Sequence, residues 1–275
     1  MDYQHLLYQA IVAAVAGGKE ILTVYDTDFS VEYKEDDSPL TLADKKASLK
    51  ITEILEPFQI PVLSEEGEHT AYEVRKHWEQ LWIVDPLDGT KEFVKRNGEF
   101  TVNIALVKQG VPQIGVIYSP VLKDMYFAAA GLGAFKINKH DFLAIEDSIG
   151  AKTLDDLVRL ASKLPMTHSH KAYRVVASRS HMSSETYHYI ENLKKQHGEV
   201  EIVSTGSSIK MCWVAEGMAN EYPRFGPTME WDTAAGQAIL QEAGCELIDH
   251  DTQKPMQYNR PELLNHWFIA RRKDL

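Results

Sequence analysis

The chain has 275 residues, 44% of them hydrophobic and 25% charged, with a net charge of −11 at pH 7. This is the composition of a soluble globular protein with a sizeable core, in one large domain or two ordinary ones. The acid excess excludes a nucleic-acid backbone binder, which needs a basic face; a small phosphorylated substrate stays open, because bound metal ions can supply positive charge.

Leu7, Ile11, Ala14, Gly18 and Ile21 recur at three- and four-residue spacing. The spacing predicts an amphipathic helix over residues 2–26, packed on a core. No basic region precedes it, so it does not read as a signal peptide. No apolar run approaches the ~18 residues of a membrane span, so no transmembrane segment is expected. Peripheral contact with the inner face of a membrane stays open. A second helix is predicted over 41–56, with Thr41 as N-cap and Asp44 in its first turn.

A short strand, IPVLS, then runs into the acids of EEGE, and the strand LWIVDP follows. FTVNIALVK, PQIGVIYSP, KDMYFAAA and GAFKI come next, with turns at Gln109-Gly110 and Gly131-Leu132-Gly133. Runs linked this closely are antiparallel neighbours. From 138 to 170 the pattern dissolves, apart from a helix in TLDDLVRLASKL and a His168–His170 run read as a surface loop. A boundary is placed here, giving an α+β half over 1–140 and an α/β half over 141–275. In the second half, strands AYRVVAS, EVEIVS, CELIDH and HWFIAR alternate with helices in SSETYHYIENLKKQHG, SSIKMCWVAEG and TAAGQAILQEAG. ANEYPRFGPTMEWD is read as a loop. Cys212 and Cys245, the two cysteines, lie far apart in apolar surroundings. They make no disulfide framework and fit a reducing, cytoplasmic compartment.

Carboxylates gather at element ends. Asp44 is near a helix start, Glu65 and Glu66 follow one strand, Asp85 and Asp88 follow another, and Asp232 precedes a helix. Singly, Asp44 and Asp232 suit helix N-termini, and Glu65-Glu66 suits a solvated loop. Asp85-Pro86-Leu87-Asp88-Gly89-Thr90 is harder to read as a turn alone. Pro86 has no N–H to donate, so the Leu87 carbonyl can point out beside the two carboxylates. Gly89 permits a tight bend, and Thr90 opens a helix whose free N–H groups suit an anion. Hard oxygen ligands beside a phosphate seat suit Mg²⁺.

SEEGE, WIVDPLDGTKEF and EWDTAAGQAIL, in this order and at these separations, resemble the Mg²⁺-dependent, lithium-sensitive phosphatases of the inositol monophosphatase superfamily. The resemblance covers nearly the whole chain. It implies a layered αβαβα sandwich, the sugar phosphatase fold, with the site in a cleft between the halves. It further implies that Glu65, Asp85, the Leu87 carbonyl, Asp88 and Asp232 hold two or more Mg²⁺ ions. Asp44 and Thr90, with Glu65, would polarise the attacking water. Leu87, Asp88, Gly89, Thr90 and Asp232 would surround the phosphate.

VVASRSH, GSS-x-K and YPRFGPT resemble the branch of that superfamily acting on 3′(2′),5′-bisphosphate nucleotides. This implies that His181, Ser207, Lys210 and Arg224 hold the nucleotide. Plainer roles stay open: a solvated lysine, a helix-start histidine, an arginine paired with Glu221 or Glu230. The implied reaction is hydrolysis of adenosine 3′,5′-bisphosphate to AMP and phosphate, with 3′-phosphoadenylyl sulfate as a second substrate. An inositol or sugar phosphatase is the alternative, and a non-catalytic nucleotide or Mg²⁺ binder is a third reading. Monomer and homodimer stay open.

Overall fold

The computed structural model describes residues 2–33, 39–68, 70–168, 170–177 and 182–273. The two opening helices form where the periodicity placed them, as α1 (Tyr3–Tyr25) and α2 (Leu42–Leu55). Between them lies a short hairpin, β1 (Val31–Tyr33) and β2 (Pro39–Thr41). Thr41 caps α2, its hydroxyl accepting from the Ala43 N–H. Asp44 reaches back and accepts from the Thr41 N–H at 2.7 Å and the Thr41 hydroxyl at 2.6 Å. This reciprocal arrangement satisfies donors at the helix start that have no partner within the helix.

A seven-stranded sheet follows in chain order: β3 (Val62–Ser64), β4 (Gln80–Asp88), β5 (Thr101–Lys108), β6 (Val111–Ser119), β7 (Asp124–Ala129), β8 (Gly133–Ile137) and β9 (Ser162–Lys163). β3 and β4 pair in parallel, and every other neighbour is antiparallel. The short helices α3 (Tyr72–Arg75), α4 (Thr90–Val94), α5 (Lys139–Leu143) and α6 (Leu154–Leu160) lie in the connections. α6 is shorter than predicted, because Ser162 and Lys163 leave it to pair with β8. Phe142, Ile149 and Leu157 from this stretch bury in the same core as α1.

Alternate residues of the central strands feed two cores, as the period of two requires. Trp82, Val84, Ile104 and Leu106 face α1 and α2. Leu81, Ile83, Ala105 and Val107 face the opposite side. Burial on both faces explains the unbroken apolar runs. Glycines allow the close approach of both helical layers. A side chain at Gly18 would overlap the Tyr118 ring, and one at Gly115 would overlap the Ala235 carbonyl.

The second half holds β10 (Tyr173–Val176), α7 (Ser184–His197), β11 (Val200–Val203), α8 (Ile209–Glu216), β12 (Glu221–Arg224), α9 (Glu230–Glu242), β13 (Cys245–Asp249) and β14 (Phe268–Arg272). Its five strands run in the order β11-β10-β12-β14-β13. The layers are therefore α1/α2, the large sheet, α8/α9, the small sheet, and α7. This is the αβαβα sandwich.

Two expectations need correcting. β12 lies inside the stretch read as a loop. Pro223 hid it, since proline cannot donate to a ladder; accordingly β12 pairs with β14 over four residues but with β10 only at Val175–Glu221. Second, α1, with 23 residues, is long and apolar enough to cross a membrane by length and composition. Polar residues interrupt the run, which is why no span was expected. Leu7, Ala10, Ile11 and Ala14 are fully buried in the core it shares with α2 and the large sheet.

Candidate active site

A cleft of about 370 Å³ opens between the two sheets' ends. The metal-ligand candidates Glu65, Asp85, Leu87, Asp88 and Asp232 line it, as do Gly89, Thr90, Ser207, Lys210 and Arg224. Asp44 adjoins it through Thr90. His181 lies outside the described residues.

The acids reach the cleft from different elements. Glu65 stands in the turn after β3, where its N–H bonds to the Val84 carbonyl at 3.2 Å. Asp85 and Asp88 end β4, with an irregular register between them. Asp232 sits three residues into α9, where its carboxylate accepts from the Met229 N–H at 2.7 Å. It is thus not the N-cap itself, since α9 starts earlier than its apolar pattern. Asp85, Asp88 and Asp232 each offer an oxygen within 4.8 Å of the other two. Glu65 lines the same cleft but stands outside that trio.

Asp85 is fully buried. Its Oδ1 accepts from the Leu87 N–H at 3.0 Å, while no donor among the described residues reaches Oδ2. Burial pushes its carboxyl well above the usual carboxylate range, and the charges of Glu65, Asp88 and Asp232 add to this. Burial also raises Asp232, to about 8, with Asp88 and Glu65 contributing. Asp88 is raised by burial and lowered by Lys210 and its donors. Crowded carboxylates of this kind, one fully buried and two half-buried, are costly unless a cation joins them. The orphaned Asp85 oxygen and the all-oxygen donor set fit a hard divalent metal ion.

Beside the trio, Thr90 shares its hydroxyl between Asp44 Oδ1 at 3.4 Å and the Leu87 carbonyl at 3.3 Å. Gly89, with φ +92°, makes the turn that places Thr90 there. Asp44 is buried, which raises its carboxyl to about 6 against the lowering effect of Thr41. Glu66 adds to that rise, whereas Glu65 acts on Asp85 and Asp232.

On the opposite wall, Lys210 is buried rather than solvated, at 8% exposure. Its ammonium bonds to the Thr205 carbonyl at 3.4 Å and lies 5.8 Å from the centre of the Tyr222 ring. Burial lowers it to about 8. Arg224 pairs with neither Glu221 nor Glu230. Glu221 accepts from the Tyr173 and Tyr189 hydroxyls, and Glu230 from the Asn259 and Arg260 N–H groups. Arg224 instead donates to the Pro227 carbonyl at 3.0 Å, and its Nε is buried without a partner among the described residues. Two cations thus face the acid cluster across one cleft. Sequence reasoning passed over Thr101, Asn103, Ser208 and Tyr222. Thr101 and Asn103 did carry a signal: two polar residues at i and i+2 at the start of a strand that is otherwise apolar up to Lys108.

The inositol monophosphatase family model matches residues 2–272. The chain is 46% identical over 269 residues to the 3′(2′),5′-bisphosphate nucleotidase CysQ of Salmonella typhimurium, covering 96% of this chain and 98% of that protein. The Escherichia coli K12 protein of the same name is 43% identical over the same coverage. Among solved structures, CysQ from Bacteroides thetaiotaomicron superposes with a TM-score of 0.90 at 50% identity, covering 100% of this chain and 99% of that one. An inositol monophosphatase from Anabaena shares the fold at a TM-score of 0.67 and 24% identity, over 98% of this chain and 92% of that one. Fold, site and relatives agree that the chain belongs to the inositol monophosphatase family.

Proposed function

We propose that the chain is a 3′(2′),5′-bisphosphate nucleotidase that removes the 3′-phosphate of adenosine 3′,5′-bisphosphate, leaving AMP. The observation that carries this reading is the placement of Lys210 and Arg224 in the same cleft as Asp85, Asp88 and Asp232. A substrate with one phosphate needs only the acid cluster. A substrate with two has a second anion to place, and the buried Lys210 with the half-buried Arg224 suits it. The names of the CysQ relatives support the same class. 3′-Phosphoadenylyl sulfate, which carries a sulfate beyond the 5′-phosphate, fits as a second substrate.

Glu65, Asp85, the Leu87 carbonyl, Asp88 and Asp232 would hold Mg²⁺, and their spread along the cleft suits two or more ions. When bound, such ions supply charge to the phosphate oxygens and make water more acidic. The chain's own residues do the rest. Thr90 Oγ, held between Asp44 and the Leu87 carbonyl, orients a water for in-line attack. Asp44 Oδ1 receives the Thr90 proton as Thr90 accepts one from that water. A carboxyl raised to about 6 is suited to this, because a general base works best near the ambient pH. Lys210 and Arg224 hold the 5′-phosphate, and Ser207 adds a hydroxyl beside it. No disulfide joins Cys212 and Cys245, both buried, which suits a reducing cytoplasm.

The test is phosphate release with Mg²⁺, with EDTA, and in Asp88→Asn. Release should need Mg²⁺ and should stop in a folded Asp88→Asn protein. Full turnover in either EDTA or the variant would remove the metal-site assignment.

A further inference from the structure

Asp88 is tied to the nucleotide wall by a buried polar network that the proposed chemistry does not use. Its Oδ2 accepts from the Ser208 N–H at 2.6 Å, from Asn103 Nδ2 at 3.3 Å and from the Thr101 hydroxyl at 3.4 Å. The donors brace one another. Asn103 Oδ1 lies 2.8 Å from the Ser208 hydroxyl and 3.0 Å from that of Thr101, and the two hydroxyls are 2.8 Å apart. Thr101, Asn103 and Ser208 are all buried. Ser208 is the N-cap of α8, the helix that carries Lys210 two residues on.

Packing locks the same two segments. A Cβ at Gly206 would stand 2.5 Å from the Glu99 carbonyl, and one at Gly89 would stand 3.3 Å from the Ser207 Cβ. Ser207 itself has φ +46°, a left-handed backbone that a non-glycine residue holds only where its surroundings impose it. The 205–208 loop therefore cannot shift over the Asp88–Gly89 turn without losing these bonds. An unsatisfied buried carboxylate or amide would be the penalty for such a shift.

We infer that Asn103, braced by Thr101 and Ser208, is a positioning residue that couples cation binding at Asp88 to nucleotide binding at Ser207 and Lys210. The inference rests on the nucleotidase reading of that wall. A cation that draws on Asp88 fixes Oδ2, and through it the Ser208 N–H and the first turn of α8. A nucleotide that fixes α8 presents Asp88 to the cation in return, because coupling between two sites is reciprocal.

The test is calorimetric titration of Mg²⁺ into wild type, Asn103→Ala and Thr101→Val, each with and without AMP. AMP carries a 5′-phosphate for Lys210 and Arg224 but no 3′-phosphate to reach the carboxylates. In wild type, saturating AMP should tighten Mg²⁺ binding by about fivefold or more, within the usual range of site coupling. In Asn103→Ala the ratio should fall to within about twofold of unity, with Mg²⁺ and AMP each still binding alone. A residue needed only for folding would weaken both ligands and leave the ratio in place. Should Asn103→Ala fail to fold, Thr101→Val, which keeps the side-chain shape, must show a reduced ratio. An unchanged ratio in a folded variant overturns the inference. Failure of AMP to bind wild type defeats the nucleotide reading, and this inference falls with it.

Discussion

Asp85→Asn should make the metal-free protein more stable while destroying its activity. Asp85 is fully buried, and no donor among the described residues reaches its Oδ2. Asn keeps an oxygen to accept the Leu87 N–H, as Asp85 Oδ1 does at 3.0 Å. It also places an amide donor among Glu65, Asp88 and Asp232, whose charges now oppose that of Asp85. Relieving one unsatisfied buried group is worth about 1–3 kcal/mol. For a chain of this size, about 2–4 °C per kcal/mol turns that into a Tm rise of several degrees in EDTA. With Mg²⁺ the order should reverse. Wild type gains ~2.7 kcal/mol when the ion stands at 100 times its Kd, and the variant gains little. The assay is scanning calorimetry of both proteins in EDTA and in Mg²⁺. An Asn variant that melts below wild type in EDTA, or gains as much from Mg²⁺, would refute the view that these carboxylates await a cation.

Two further substitutions divide the labour of the cleft. Thr90→Ala should lower kcat by about 10²–10³-fold, in the range of lost acid–base catalysis, with a far smaller change in KM; steady-state kinetics showing mainly a KM change would make Thr90 a phosphate seat only. Arg224→Ala should raise KM for the bisphosphate nucleotide by at least about tenfold, the loss of one charge-assisted contact, and should leave any turnover of a single-phosphate substrate in place. An equal loss on both substrates, seen in parallel assays, would mean that Arg224 shapes the cleft and does not read the second phosphate.

How much of this was legible before folding depends on where the signal lay. Thr41 as N-cap with Asp44 in the first turn, and the apolar runs of β4 to β7, are local patterns, and they survive intact. β12 was hidden by Pro223, whose missing N–H the small sheet tolerates because pairing to β10 stops at Glu221. The start of α9 was set too late, because Glu230 and Trp231 join it once Asp232 satisfies the Met229 N–H. The burial of Lys210 could have been suspected: Ile209, Met211 and Cys212 surround it in sequence, and all three are buried. The network behind Asp88 was not legible, since Ser208 reaches Asn103 across 105 positions of chain. No local rule joins residues so far apart.

The most direct measurement is phosphate release from adenosine 3′,5′-bisphosphate, inositol 1-phosphate and fructose 1,6-bisphosphate, side by side in Mg²⁺. Fast release from the nucleotide alone is the result expected if Lys210 and Arg224 read a second phosphate. Faster release from the inositol or sugar phosphate would contradict that account, leaving the acid cluster in place but giving the opposite wall another purpose.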